Sequence, residues 1–178
     1  MRHFHNVALV GFMGTGKSTV GQAVAAMLHL RLIDTDALIE ERLGRRIADI
    51  FAAEGEARFR EYERQIVSEL ETVRGCVIST GGGLVVNPAN MESLKKHALV
   101  VCLWASPEAI LARVGHQTHR PLLRGDNPLG KIKDLLAQRE PFYRQADVLL
   151  NCEQRSAREV AQHVAHQFRL GAAQAAAV

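Results

Sequence analysis

The sequence predicts an α/β fold: a five-stranded parallel sheet with helices on both faces. Three observations predict it. Short apolar runs of strand length alternate along the chain with amphipathic helical patterns, an order that calls for crossover helices and parallel strands. The first run, Val7-Ala8-Leu9-Val10, passes through Gly11-Phe12-Met13-Gly14-Thr15-Gly16-Lys17-Ser18 straight into a helix. Two further runs end in Asp34-Thr35-Asp36 and Gly81-Gly82-Gly83. Ligands in open parallel sheets gather beyond the carboxyl ends of strands, so these three stretches converge on one crevice.

Each element has its own signal. Asn6 to Val10 is short, apolar and ended by glycine, as a buried strand is. Val20, Ala23, Val24, Met27 and Leu28 recur at helical spacing and give the first helix a core face. Leu30 to Ile33 is a second strand, and Asp36 is placed to cap the helix carrying Leu38 and Ile39, which Gly44 ends. Ile47 to Ala53 reads as a short helix closed by Gly55, and about Ala57 to Val73 as a longer one with Phe59, Ile66, Val67 and Leu70 on its apolar face. Cys76 to Ser79 is a third strand. Pro88 to His97 is helical, and Leu99 to Trp104, the most apolar run, is a central strand. Ser106-Pro107-Glu108 opens a helix with Ser at the cap. Periodicity fails from Gly115 to Pro128. Leu129 to about Tyr143 is helical, Val148 to Leu150 is a fifth strand, and Ser156 to Leu170 a last amphipathic helix.

Composition sets the outer limits. The chain has 178 residues, 47% of them hydrophobic, enough for one domain over residues 1–170 with a real core. The alanine-rich stretch 171–178 shows no core pattern and is expected to be a disordered tail. The net charge of +3, from 22 basic and 19 acidic residues, is mild. With no long Lys/Arg run and 5% aromatics, it gives no case for a nucleic-acid partner. Cys76, Cys102 and Cys152 sit in or beside apolar runs without close pairing, which argues against a disulfide framework or a zinc site. No apolar run approaches a membrane span, and the early first strand leaves no room for a signal peptide. A cytoplasmic protein is expected, with a monomer as the default.

The Gly11–Ser18 stretch fits G-x-x-x-x-G-K-[ST] at every required position, with the strand before and the helix after that the motif needs. Its glycines let the backbone N–H groups point inward as an anion nest, backed by the helix dipole. Gly14, Thr15, Gly16, Lys17, Ser18 and Thr19 are the expected ATP-binding segment. Lys17 brings a full charge to the β- and γ-phosphates, and the Ser18 hydroxyl suits Mg²⁺. A P-loop does not say whether the phosphoryl group goes to water or to a substrate.

Five features bear on that choice. Asp34 can meet Mg²⁺ and Asp36 can accept a hydrogen bond from a substrate hydroxyl; the plainer role is a turn and a helix cap. Arg60 and Glu63 are three apart on a helix: either a solvated ion pair, or an arginine aimed at a carboxylate with Glu63 holding its fork. Gly81, Gly82 and Gly83 let a ligand touch backbone closely. The loop over about 115–128, with Arg120-Pro121-Leu122-Leu123, has the character of a lid, which excludes water and can bring Arg120 to the phosphates. His116 and His119 in it lack a third metal ligand. Arg139 is a second candidate for an anionic substrate, or a cation at a helix C-terminus.

The ordered set Gly-Phe-Met-Gly-x-Gly-Lys-Ser-Thr-x-Gly, Asp-x-Asp, Ile-Phe-x-x-x-Gly-Glu-x-x-Phe-Arg-x-x-Glu, Gly-Gly-Gly, Arg-Pro-Leu-Leu and Arg-x-x-x-Tyr resembles bacterial shikimate kinase from about Asn6 to Leu170. The resemblance implies a three-layer P-loop kinase fold of the nucleoside-monophosphate-kinase type, with a substrate-binding helical region at about 35–63 and a mobile lid. It implies transfer of the ATP γ-phosphate to the 3-hydroxyl of shikimate, in aromatic amino-acid biosynthesis. Lys17 would hold the phosphates, and Ser18 and Asp34 would serve Mg²⁺. Asp36 would bind the hydroxyls and act as base. Arg60 and Arg139 would clamp the carboxylate, Phe51 and Phe59 would wall the ring, and Gly81, Gly82 and Gly83 would line it. Arg120 would close with the lid. Arg113 matches a position that packs on adenine; Arg155 lies in the corresponding purine-contacting segment, which has no firm motif.

Two other classes compete. A kinase of the same fold acting on a nucleoside monophosphate or on gluconate would also use these arginines. Against it, Asp-x-Asp with three glycines favours a polyol acid. A nucleotide switch or plain ATPase would want a water-positioning Gln or a strand-end acid, and the strands ending at Ser79 and Trp104 carry none.

Overall fold

The computed structural model of the chain describes residues 3–114 and 127–176. Five strands, β1 (Asn6–Val10), β2 (Arg31–Asp34), β3 (Cys76–Ser79), β4 (Ala98–Trp104) and β5 (Val148–Asn151), form one parallel sheet in the order β2-β3-β1-β4-β5. The glycine-rich loop therefore leaves the central strand. Register pairs Val7 with Val77 on one side and with Leu99 on the other. Every residue of β1 and β3 is buried, as continuous apolar strands require when helices cover both faces.

Seven helices lie among the described residues: α1 (Lys17–Leu28), α2 (Thr35–Leu43), α3 (Ile47–Leu70), α4 (Pro88–His97), α5 (Pro107–Val114), α6 (Pro128–Tyr143) and α7 (Ala157–Ala176). A short 3₁₀ turn at Leu84–Val86 follows the glycine run. Helix α1 packs on α7 and β3, α4 on β4 and α3, and α5 on α6. Val20 and Val24 of α1 and Val160, Ala161 and Val164 of α7 are buried in the same core as Leu9 and Ile78. Each such valine, leucine or isoleucine contributes about 1.5–3 kcal/mol on burial. None of the helices described is long and apolar enough to cross a membrane.

The two helices expected on either side of Gly55 are present, joined end to end in α3 across a kink where Gly55 takes φ 78° and ψ 173°. That bend needs glycine, since an L side chain at this φ is strained. The last helix runs through Ala176 instead of fraying from Gly171. Alanine is the best helix former, so the alanine run extends the helix without a core pattern. The lid expected at about 115–128, including Arg120, lies outside the described residues up to 126.

The end of the sheet away from the glycine-rich loop is tied by one buried polar side chain. The Asn6 amide donates to the Val73 carbonyl at 2.7 Å and lies 2.8 Å from His97 Nδ1, while its oxygen accepts from the Cys76 N–H at 3.1 Å. An amide N–H facing Nδ1 requires neutral His97, protonated on Nε2, an inference from the network and not an observed hydrogen. Burial, with Arg74 nearby, holds the His97 pKa below the ordinary 6.5. The unfolded chain then binds more protons below pH 6.5, so stability falls as pH falls through that value. Thermal midpoints at about pH 7.5 and about pH 5.5 should differ less in His97→Gln than in the parent chain; an identical pH slope would remove His97 from the acid sensitivity.

Candidate active site

The loop after β1 curls because Gly14 and Gly16 take φ 76° and 91°, conformations that turn successive N–H groups to one side. Lys17, at the start of α1, is buried, and its ammonium donates to the Gly11 and Phe12 carbonyls at 2.9 and 2.8 Å. Thr15 Oγ1 donates to the Phe12 carbonyl at 2.8 Å and fixes the curl. Ser18 Oγ donates to Asp34 Oδ2 at 3.1 Å and lies 3.5 Å from Ser79 Oγ. Side by side, Ser18 and Asp34 are a pair of hard oxygen donors at the mouth of the nest.

Asp34, not Asp36, caps α2. Its Oδ1 accepts from the N–H groups of Asp36 and Ala37 at 3.1 and 3.3 Å. The strand runs one residue further than its apolar pattern suggests, so the cap moves back to Asp34. Asp36 then sits in the first helical turn with its carboxylate released into the crevice.

Across from the nest lies the glycine run. The Gly81 N–H donates to Thr35 Oγ1 at 3.0 Å, and a side chain on any of the three glycines would crowd a neighbour. A Cβ on Gly81 would stand 2.5 Å from Asp36 Oδ1 and 3.1 Å from Glu63 Oε1. One on Gly82 would stand 3.2 Å from the Met13 backbone nitrogen, and one on Gly83 2.7 Å from both terminal nitrogens of Arg60. The acceptor side and the phosphate loop therefore share a wall without side chains.

Arg60 reaches this wall from α3. It donates to Glu63 Oε2 at 2.8 Å and to Glu56 Oε1 at 2.6 Å, and its guanidinium lies 5.5 Å from the centre of the Phe59 ring. Phe59 is buried and packs on half-buried Phe51 with ring centroids 4.8 Å apart. Arg139 comes from α6, 3.4 Å from the Gly82 carbonyl and 5.5 Å from the centre of the Phe12 ring. Two cations from different helices thus flank one glycine run.

The acids respond to burial. Glu63 is 1% exposed. Burial raises its pKa to about 7, against the pull of Arg60. Burial and then the Asp34 charge raise Asp36 to about 6, against Lys17 and Arg60. Asp36 Oδ1 and Glu63 Oε1 are buried without a hydrogen-bond partner among the described residues. Such a group is costly to leave unpaired, and its place in a crevice marks a ligand site.

Met13, Gly14, Gly16, Lys17, Ser18, Thr19, Asp34, Asp36, Gly82 and Arg113 line one cavity of about 330 Å³. Arg113, at the end of α5, donates to the Cys152 and Gly14 carbonyls at 2.8 and 3.4 Å. Arg155 is not among these lining residues. It borders a separate hollow with Asn151, Glu153 and Gln154. Arg120 lies outside the described residues. The depth of Glu63 was readable and is missed by a surface-pair interpretation: Phe59, Glu63, Ile66, Val67 and Leu70 share one buried stripe of α3, so Glu63 stands where helical spacing wants an apolar residue.

A family model described as shikimate kinase matches residues 13–169. The chain belongs to the shikimate kinase family. A shikimate kinase of Caldanaerobacter subterraneus subsp. tengcongensis is 43% identical over 163 residues, covering 92% of this chain and 95% of that one. The structure of the shikimate kinase from Acinetobacter baumannii, in complex with shikimate, is 39% identical with a TM-score of 0.88 over 94% of this chain and 93% of that one. A gluconokinase from Sinorhizobium meliloti, 20% identical with a TM-score of 0.57 over 97% of this chain and 94% of that one, shares the fold alone. As a shikimate kinase family member the protein is an ATP-dependent phosphotransferase on a P-loop kinase fold, as the ordered motifs imply.

The Arg60–Glu63 pair makes a signed prediction. Arg60 holds the Glu63 pKa down, so Arg60→Ala lets it rise further above 7. A carboxyl whose folded pKa is raised favours the folded state less as pH climbs through that pKa. Urea midpoints should show Arg60→Ala losing more stability at about pH 8 than at about pH 6. Equal losses at both values would mean that Glu63 is not charged in the folded protein.

Proposed function

We propose that the protein transfers the γ-phosphoryl group of ATP to the 3-hydroxyl of shikimate, giving shikimate 3-phosphate and ADP, in the pathway to chorismate and the aromatic amino acids. The observation that carries this is the buried Asp36 oxygen, without a hydrogen-bond partner among the described residues, on a glycine wall flanked by Arg60 and Arg139. A ring with hydroxyls and one carboxylate matches that set: an acceptor for the hydroxyl, two arginine forks for the anion, and Phe51 and Phe59 as apolar walls.

In this reading the N–H groups of Gly14, Thr15, Gly16, Lys17, Ser18 and Thr19 cradle the phosphates, and the Lys17 ammonium leaves its carbonyl partners for the β- and γ-oxygens. Ser18 and Asp34 hold Mg²⁺. Among the described residues no three His, Cys, Asp or Glu side chains are placed to hold a metal ion between them, which suits an ion held by one carboxylate and phosphate oxygens and not by a protein cage. When bound, Mg²⁺ neutralises charge on the phosphate oxygens. Asp36, with a pKa of about 6, is mostly ionised at neutral pH and accepts the hydrogen of the attacking hydroxyl. The transition state is loose, so Asp36 chiefly aims the oxygen and takes its proton late. Arg113 and Arg155 serve the adenosine end; the phosphate role expected of Arg120 falls on a residue outside the described ones. We assign the protein to the cytoplasm as a monomer acting on small molecules, with no nucleic-acid or membrane partner.

ADP release from ATP and Mg²⁺ should be strong with shikimate and near blank with gluconate, AMP or CMP. Release with another acceptor would keep the fold and overturn the carboxylate clamp, while equal release in every well would mean hydrolysis. Asp36→Asn should lower kcat by about 10²–10⁴-fold, the usual weight of a positioned acid–base group, with ATP binding nearly unchanged. Full turnover in Asp36→Asn would remove it from the mechanism.

A further inference from the structure

The sequence pattern Arg-x-x-x-Tyr leaves its tyrosine without a task. Arg139 and Tyr143 are four apart on α6 and so share a face. Tyr143 is 1% exposed, and its hydroxyl donates to the Gly82 carbonyl at 2.5 Å. Arg139 approaches the same oxygen at 3.4 Å, a long contact. Two donors therefore share one carbonyl, whose two lone pairs can take both; the phenol holds the short bond and the guanidinium the long one.

The setting makes that bond consequential. Gly82 is half-buried and lines the phosphate-site cavity beside Met13, so its carbonyl stands between the acceptor side and the phosphate loop. Pro141 lies inside the last turn of α6 and removes one backbone hydrogen bond from the turn that carries Tyr143. The Tyr143–Gly82 bond restores an anchor there. Without it, the carbonyl would keep only the long contact from Arg139, and shortening that contact is the nearest way to restore a full hydrogen bond.

We propose that Tyr143 is a positioning residue for the acceptor: by satisfying the Gly82 carbonyl, its hydroxyl keeps the Arg139 guanidinium available to the substrate carboxylate. This rests on the carboxylate clamp of the proposed function. Removing the hydroxyl draws Arg139 onto Gly82 and weakens acceptor binding without touching the phosphate loop's own hydrogen bonds.

The test is steady-state kinetics of Tyr143→Phe in the full chain, with ATP and shikimate varied in turn. KM for shikimate should rise about tenfold, the loss expected when one charge-assisted hydrogen bond is weakened, with kcat and KM for ATP within about twofold. An unchanged KM for shikimate, or an equal rise in both KM values, would overturn the proposal; the second is what a merely structural role predicts. Arg139→Ala and the double variant complete a cycle. If Tyr143 acts through Arg139, Tyr143→Phe adds nothing in the Arg139→Ala background, and independent, additive effects count against it. Turnover of shikimate by the unaltered chain separates the two levels. Its absence sinks the proposed function and this inference together, whereas normal turnover with a flat Tyr143→Phe response sinks this inference alone.

Discussion

The close approach at Gly81, Gly82 and Gly83 governs the rest of the site. Three groups that meet over one small ligand in the proposed reaction come from different parts of the chain: Asp36 from the start of α2, Arg60 from α3 and the phosphate loop from β1. A side chain at any of the three positions would stand 2.5–3.2 Å from one of them, closer than ordinary van der Waals contact. Removing all three side chains lets the donor loop and the acceptor groups share a single thin wall. The parallel sheet supplies the geometry, because β1, β2 and β3 are neighbours and end on the same edge. Phosphoryl transfer demands little covalent chemistry from the protein and much positioning, so a wall that fixes both reactants is what the reaction needs.

Charge is concentrated there at a cost in stability. Glu63 occupies a core position on α3 between Phe59 and Ile66, where an apolar residue would pack without desolvating a carboxylate. It holds the Arg60 fork, which also bonds Glu56, so the guanidinium keeps a fixed plane before any anion arrives. A preorganised cation loses less entropy on binding a carboxylate than a free one does. The raised pKa values of Glu63 and Asp36 are the mark of the same compromise: burial keeps water away from the acids while nearby cations keep them usable.

Much of this was legible in the residues because it rests on spacing and on strict chemistry. Gly14, Gly16, Lys17 and Ser18 form a motif whose strand and helix context is local, so the chain alone reveals the phosphate site. The strands were readable because buried parallel strands are continuous apolar runs. Less legible features depend on tertiary context. Which of Asp34 and Asp36 caps α2 turns on one residue at the end of β2, where patterning is weakest. The alanine tail has no core periodicity, yet intrinsic propensity carries α7 to Ala176. Arg155 was assigned by correspondence in a segment without a motif, and its side chain borders a different hollow from the phosphate loop. Tyr143 carries no charge, so nothing in its spacing reveals that a backbone carbonyl lies above its hydroxyl.

If the shared wall is the central constraint, its middle residue is the sensitive one. Gly82→Ala puts a methyl group 3.2 Å from the Met13 backbone nitrogen, which must yield by a few tenths of an ångström because backbone cannot swing aside. Isothermal titration of the folded variant with shikimate and with a non-hydrolysable ATP analogue would measure both halves at once. Weakening of both ligands, with the fold retained, is the expected result. Loss of shikimate binding alone, or binding of both as in the parent chain, would show that the glycine run and the phosphate loop are mechanically separate.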